Sequence, residues 1–374
     1  MIKSVALCSL SVATTRSDLP YMRALLLSEY SHLNVVELPR PTPGPNDVLI
    51  AVAACGICGS DVHGYDGASG RRIPPIVMGH EAAGTIAALG SDVTGFAVGD
   101  RVTFDSTVYC GHCDFCLAGQ VNLCNAREVI GVSCGEYRRY GAFAEYLVVP
   151  AHILYRLPAD FSFAEAAMLE AVSVALHGVA VSALQPGATV LVIGAGMIGL
   201  LLLQAARAAG AAKVLISDVD PTRLKLAAEL GADETICLSG DELTAHILQS
   251  THARGVDTVL EAVGRAETIA TAIDCVCKGG TVTLVGNISP SVPLPLQKVV
   301  SRQLRLQGSC ASAGEYPEAI RLIASRAIRV DALITAVAPL ELGPAWFERL
   351  RAREPNLMKI VLDPRAASLS ESTQ

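Results

Sequence analysis

The chain of 374 residues is 51% hydrophobic and 17% charged, with 32 glycines and 19 prolines, a profile that excludes a disordered or fibrous polypeptide. Its formal net charge of -7 and lack of any long basic run argue against nucleic acid as the main partner. The longest apolar run, Thr189 to Ala206, is broken by Gly194, Gly196 and Gly199, so no membrane span is expected.

This length predicts two domains, because single cores stop growing at roughly 250 to 300 residues. Residues 1–21 read as an N-terminal extension. Lys3, the apolar Val5 to Leu10 and the small Ser11 to Ala13 weakly resemble a signal peptide. The preferred reading is a dispensable leader ahead of a fold that begins at Met22, because the thiolate-rich windows described below favour a reducing, cytoplasmic location.

From Met22 to about Gly95 the segments MRALLL, NVVELP, DVLIAVAA and AAGTIAALG have strand length and are divided by turn clusters such as PRPTPGPND. VGDRVTF and GAFAEYLVVP continue this β-rich pattern, the latter with Glu145 predicted to face outward. Near Ala164 the period changes, and FAEAAMLEAVSVALHGVAVS reads as one buried helix. Apolar strands then alternate with helices through GTVTLVG, which predicts an α/β unit with a parallel sheet. EYPEAIRLIASR is a further helix, MKIVLDP a closing strand, and AASLSESTQ a polar tail.

Three windows carry chemistry. In GAGMIG, Gly194, Gly196 and Gly199 fit the GxGxxG pattern, with Met197 and Ile198 opening the helix. A preceding strand and a second strand ending at Asp218 supply the context that a glycine-rich turn alone lacks. Gly194 allows the tight turn, Gly196 lets the backbone approach a pyrophosphate, and Gly199 brings helix and sheet together. Asp218 would accept from a ribose 2′-hydroxyl and repel a 2′-phosphate. Asp220 adds to that repulsion and Arg223 is the nearby cation, so NAD is favoured over NADP.

Cys110, Cys113, Cys116 and Cys124 have the spacing CxxCxxCx7C, which can surround one Zn²⁺ tetrahedrally and leave no open position. An iron–sulfur cluster would accept the same four thiolates. The third window is CGICGSDVHGY. Cys58 there and His80 in GHEAAG could supply two ligands of a catalytic zinc, and Glu81 and Glu170 compete to be the third. Glu170 is the one charge in AAMLEAVSVALHG, and a carboxylate in so apolar a stretch needs a partner. Glu261 and Lys359 read as structural residues.

The order GICGSDVH, GHE, four clustered cysteines, GxGxxG and the later aspartate resembles the zinc-dependent medium-chain alcohol dehydrogenase family, from Met22 to about Pro364. The resemblance implies an α/β protein with a GroES-like β-rich catalytic domain at 22–180, a Rossmann NAD-binding domain at 181–313, a return to the catalytic domain at 314–364 and a flexible tail at 365–374. It implies two zinc ions per chain, one structural on the four cysteines and one catalytic on Cys58 and His80 with Glu81 or Glu170. It also implies a proton relay of Ser60 and His63, leaving Cys55 as a packing residue and Asp61 as an orienting one. Without the resemblance, His63 reads as a solvent-facing turn residue. The LEAVSVALH segment is similar to the polyol-oxidising branch, although Ala171 stands where that branch often has proline. GSCASAG, residues 308 to 314, lacks the Arg and Tyr pair of animal-type sorbitol dehydrogenases. The expectation is an NAD-dependent oxidation of a small-molecule polyol to a ketose by a homodimer or homotetramer. Sugar-phosphate alcohols, 2,3-butanediol and threonine are the alternative substrates, and a redox sensor without turnover is the alternative class.

Overall fold

The computed structural model describes residues 20–366, so the expected extension and tail lie outside it apart from residues 20–21 and 365–366. Asp47–Gly56 is the central strand of a seven-stranded sheet. Its path runs Leu154–Arg156, Arg101–Phe104, Glu81–Leu89, Asp47–Gly56, Lys359–Asp363 and Ile334–Pro339, and Tyr146–Pro150 also pairs with Asp47–Gly56. Val48, Leu49, Ile50, Val52 and Ala53 are all buried, as a strand covered on both faces requires. Tyr21–Glu29, His32–Pro39 and Ile76–Val77 form a smaller sheet beside it.

The chain returns to this first sheet at its end. Leu362 lies opposite Cys55 and Val361 opposite Gly56, antiparallel, which brings Lys359 to the strand end that leads into Cys58. Glu145 does not face outward: its carboxylate accepts from the Arg23 backbone N–H at 2.7 Å and from Arg23 Nε at 2.9 Å, an ion pair that holds the two sheets together.

Between these segments lies a six-stranded parallel sheet, in the order Glu234–Ile236, Lys213–Ser217, Thr189–Ile193, Val256–Glu261, Val276–Leu284 and Arg305–Gly308. Counted from its first strand this order is 3-2-1-4-5-6, and the strand order reverses between Thr189–Ile193 and Val256–Glu261. The alternation of the first strand explains both faces: Val190 and Val192 pack on the Leu200–Leu203 side, Leu191 and Ile193 on the Val259 and Ile273 side.

The predicted single helix after Ser162 is two, Phe163–Ala166 and Leu169–Val181, with a break at Ala167 and Met168. The longer one buries Ala171, Val172, Ala175 and Val179 and packs on Met197–Ala208. It thereby joins the dinucleotide-type sheet to the first unit and sets Glu170, in its first turn, toward the space between them.

Candidate active site and dinucleotide edge

The segment 55–65 turns from strand to helix at Cys58, which caps Gly59–Tyr65. The Cys58 sulfur accepts from the Ser60 N–H at 3.5 Å, and Asp61 Oδ2 accepts from the Cys58 N–H at 3.2 Å, a reciprocal cap that fixes the thiol. His80 precedes the strand Glu81–Leu89, so its ring and the Glu81 carboxylate reach the same space from a neighbouring strand. One ligand atom each from Cys58, His80 and Glu81 lies within 4.8 Å of the others. Asp61 Oδ1 is 3.3 Å from His80 Nδ1 and accepts from Arg72 Nη2 at 3.0 Å. With Nδ1 turned to a carboxylate, Nε2 is the nitrogen left for a metal. Despite burial, the neighbouring His80 ring and Arg72 guanidinium hold the Asp61 carboxyl far below the usual range. A mixed sulfur, nitrogen and oxygen set of this kind fits Zn²⁺.

Glu170 is not among the three clustered ligands. Burial pushes its carboxyl up to about 7, opposed by His80 and reinforced by Glu81 and Asp105. Glu81 already has a buried cation, Lys359, whose Nζ is 2.5 Å from its Oε2. Ser60 Oγ accepts from Arg72 Nη2 at 3.2 Å and lies 3.5 Å from His80 Nε2. His63 is exposed one turn further along the same helix, and Ser60's hydrogen bonds go to Arg72 and His80 rather than to it. Cys55 is buried in the apolar core of the first unit.

Cys110, Cys113, Cys116 and Cys124 are free thiols with ligand atoms all within 4.8 Å of one another. The sulfurs of Cys113 and Cys116 are 3.5 Å apart, and those of Cys110–Cys116 and Cys113–Cys124 are 3.9 Å apart. A tetrahedron with Zn–S bonds of about 2.3 Å has edges of about 3.8 Å, so the four sulfurs already have the shape of a closed zinc site. The Asn125 and Cys116 backbone N–H groups hold the Cys113 thiol down to about 6, while burial and neighbouring sulfurs push Cys116 up to about 12. Four thiolates this close need a cation to ionise together.

At the reversal of strand order, Gly194 has φ +96° and Gly196 caps the helix Met197–Ala208. A Cβ on Gly199 would stand 1.7 Å from the Gly194 carbonyl oxygen, so only glycine lets this helix sit so near the strand. Met197 and Ile198 form the helix's first turn, whose N–H groups have no carbonyl partner within the helix and so suit an anion. Asp218 Oδ2 accepts from the Ala195 N–H at 2.6 Å and Oδ1 from the Asp220 N–H at 2.9 Å, which bind the glycine turn to the second strand. Arg223 is 4.0 Å from Asp218 and 3.5 Å from Asp220.

Two family profiles match the sequence: "Alcohol dehydrogenase GroES-like domain" over residues 44–159 and "Zinc-binding dehydrogenase" over residues 198–325. The chain belongs to the zinc-binding alcohol dehydrogenase family. It is therefore an oxidoreductase acting on CH–OH groups with zinc and a nicotinamide dinucleotide. The sorbitol dehydrogenase of Bacillus subtilis is 33% identical to it, over 92% of this chain and 97% of that one. The L-idonate 5-dehydrogenase of Vitis vinifera is 36% identical over 79% of this chain and 81% of its own. A zinc-binding dehydrogenase of Sinorhizobium meliloti, solved bound to NADP, superposes with a TM-score of 0.84 at 35% identity, covering 92% of this chain and 99% of that one.

Lys359, expected from the sequence to be only structural, is a lone cation in the apolar MKIVLDP, a signal like the one that singled out Glu170, and it neutralises Glu81 beside the clustered ligands. Arg72, which holds Asp61, carries no local signal in GRRIPP. Asp105 is buried after the strand Arg101–Phe104. It accepts from the Thr107 N–H at 2.8 Å and is 3.4 Å from Ser312 Oγ, while burial pushes its carboxyl up to about 6. Glu261 caps a local turn, accepting from the Val263 and Gly264 N–H groups at 2.9 Å, a structural role. Among the described residues, no helix is long and apolar enough to cross a membrane.

Proposed function

We propose that this dehydrogenase oxidises a secondary hydroxyl of a polyol or sugar alcohol to a ketose with NAD. The observation that carries the reading is the convergence of Cys58, His80 and Glu81 on one point, with the elevated Glu170 carboxyl facing them from the helix of the neighbouring unit. The relatives named for sorbitol and L-idonate support the substrate class.

Cys58, His80 and one of the two glutamates would hold the catalytic zinc, and Cys110, Cys113, Cys116 and Cys124 the structural one. The bound groups would supply Lewis acidity toward the alcohol oxygen and a hydride acceptor for the carbinol hydrogen. The chain's own residues position and deprotonate. Ser60 Oγ, already polarised by Arg72, offers the hydroxyl proton its first stop. His63, exposed on the same helix, offers the outlet to solvent near neutral pH. Gly194, Gly196, Gly199 and the N-terminus of Met197–Ala208 would take the pyrophosphate. Asp218 and Asp220, with Arg223 already paired to both, would repel a 2′-phosphate at the end of the second strand, which supports NAD.

Free thiols suit a cytoplasmic, reducing location. A homodimer or homotetramer is supported by the unpaired edge of Arg305–Gly308 and by exposed Leu294, Leu296 and Val300 in the segment before it.

The test is NADH and NADPH formation by zinc-loaded protein with sorbitol, xylitol, galactitol, their phosphates, 2,3-butanediol and threonine. Turnover of a polyol with NAD, abolished in Cys58→Ala, is the expected result. Absence of turnover with every alcohol, at two zincs per chain and with NADH bound, would overturn the reading.

A further inference from the structure

The four-cysteine lobe meets the cleft at the strand ends through Asn122 and Arg127, and Asn122 is the buried contact. Asn122 lies between Cys116 and Cys124 in the short turn Val121–Leu123, and is 4% exposed although the adjacent Leu123 is 43% exposed. Its Nδ2 donates to the Cys310 carbonyl oxygen at 2.7 Å and lies 3.3 Å from His177 Nε2. Two acceptors use both amide hydrogens. For Nε2 to accept, His177 carries its proton on Nδ1, and that nitrogen is 2.7 Å from Glu315 Oε1. The second Glu315 oxygen accepts from the Ala313 N–H, so the chain of hydrogen bonds ends with its carboxylate satisfied.

Cys310 is also held from a second side. Arg127 Nη1 donates to the Asn122 carbonyl oxygen at 2.8 Å and sits 3.1 Å from Cys310 Sγ. Gly308, Ser309 and Cys310 line a cleft with Gly264, Gly286 and Asn287, at or just beyond the carboxyl ends of the parallel strands. Ligands of open α/β sheets bind in that place. Buried Asn122 and His177 thus hold the exposed Cys310 backbone from inside, so this wall moves when their hydrogen bonds are broken.

We propose that Asn122 is a positioning residue for the dinucleotide: through Cys310 it fixes one wall of the coenzyme cleft, so the four-cysteine lobe sets coenzyme affinity as well as local stability. The proposal rests on the dinucleotide-binding reading above. It differs from a purely structural tie between domains, which would alter stability and leave the affinity of the folded protein unchanged.

The experiment is NADH titration by fluorescence on full-length protein, wild type against Asn122→Ala, His177→Ala, Cys113→Ser and Asn122→Ala/Cys113→Ser, with zinc measured on each. Asn122→Ala is expected to keep two zincs per chain and bind NADH about tenfold more weakly, because it removes the hydrogen bond to the Cys310 carbonyl together with the His177 contact that orients it. His177→Ala, on the opposite side of the contact, leaves the Cys310 bond in place and is expected to weaken binding about threefold. Cys113→Ser is expected to lose one zinc and weaken binding at least as much as Asn122→Ala. The double variant is expected to match Cys113→Ser, because both changes act through the same link. Wild-type affinity in Asn122→Ala and His177→Ala would overturn this proposal alone, as would loss of zinc from Asn122→Ala in step with its affinity. A wild-type protein that bound neither NADH nor NADPH would overturn the dinucleotide reading and this proposal with it.

Discussion

Lys359 and Glu81 form a buried ion pair beside the proposed metal site, and removing its cation has a calculable cost. Lys359 Nζ is 2.5 Å from Glu81 Oε2, with the two side chains 3% and 1% exposed. Its other partner is the Ile57 carbonyl oxygen at 3.2 Å. At an effective dielectric near 20 the attraction is about 7 kcal/mol, and the desolvation of both ions is set against it. Lys359→Met keeps the side-chain stem but leaves Glu81 buried and unpaired, which is expected to cost about 3–5 kcal/mol in metal-free protein. Lys359→Met/Glu81→Gln removes both charges and should recover most of that loss. Zinc held by Cys58, His80 and Glu81 would also compensate the carboxylate, so the loaded single variant should lose less stability than the metal-free one. Urea unfolding followed by the fluorescence of Trp346, the one tryptophan, reports on the same unit, because Trp346 packs on its core. A loss below about 1 kcal/mol in metal-free Lys359→Met, or no recovery in the double variant, would refute the reasoning.

Cys113→Ser should lower zinc content from two to one per chain by atomic absorption, with the Cys58 site still filled, because the two clusters share no ligand. Asp105→Asn should change the pH dependence of stability. Burial pushes the Asp105 carboxyl from its ordinary 3.8 up to about 6, so the folded state holds the proton more tightly and that contribution is lost as pH rises through 6. The variant should thus be more stable than wild type by about 2–3 kcal/mol above pH 6, with the advantage shrinking toward pH 4 in denaturant melts. Gly199→Val should abolish NADH binding and cost about 1–3 kcal/mol, because its Cβ would stand 1.7 Å from the Gly194 carbonyl oxygen. NADH affinity within a few-fold of wild type would contradict the tight helix–strand approach.

Much of the site was legible in the chain because its signals are local. The four cysteines fall within fifteen residues, and a short loop brings their sulfurs to tetrahedral edges with little help from the rest of the fold. GAGMIG is likewise a local device, a strand-to-helix turn whose glycines have sterically set roles. The strand alternation after Thr189 predicted a parallel sheet, and the structure orders it 3-2-1-4-5-6. The break at Ala167 and Met168 was not legible. Both flanking segments are good helix formers, and only the packing of Leu169–Val181 against Met197–Ala208 requires the change of direction.

The groups that tune the site come from far along the chain. Lys359 reaches Glu81 because the last strand pairs with Asp47–Gly56, Arg72 reaches Asp61 across a turn, and Asn122 reaches Cys310 across two domains. The sequence by itself determined the donor types, the closed cysteine cluster, the glycine turn and the alternation of strands and helices, since each depends on spacing within one segment. The tertiary structure alone decided which carboxylate keeps a cation, which histidine nitrogen turns to Asp61 and which residues line the cleft at the strand ends. Charge and hydrogen-bond satisfaction depend on neighbours in space, and sheet pairing brings together residues that sequence distance keeps apart.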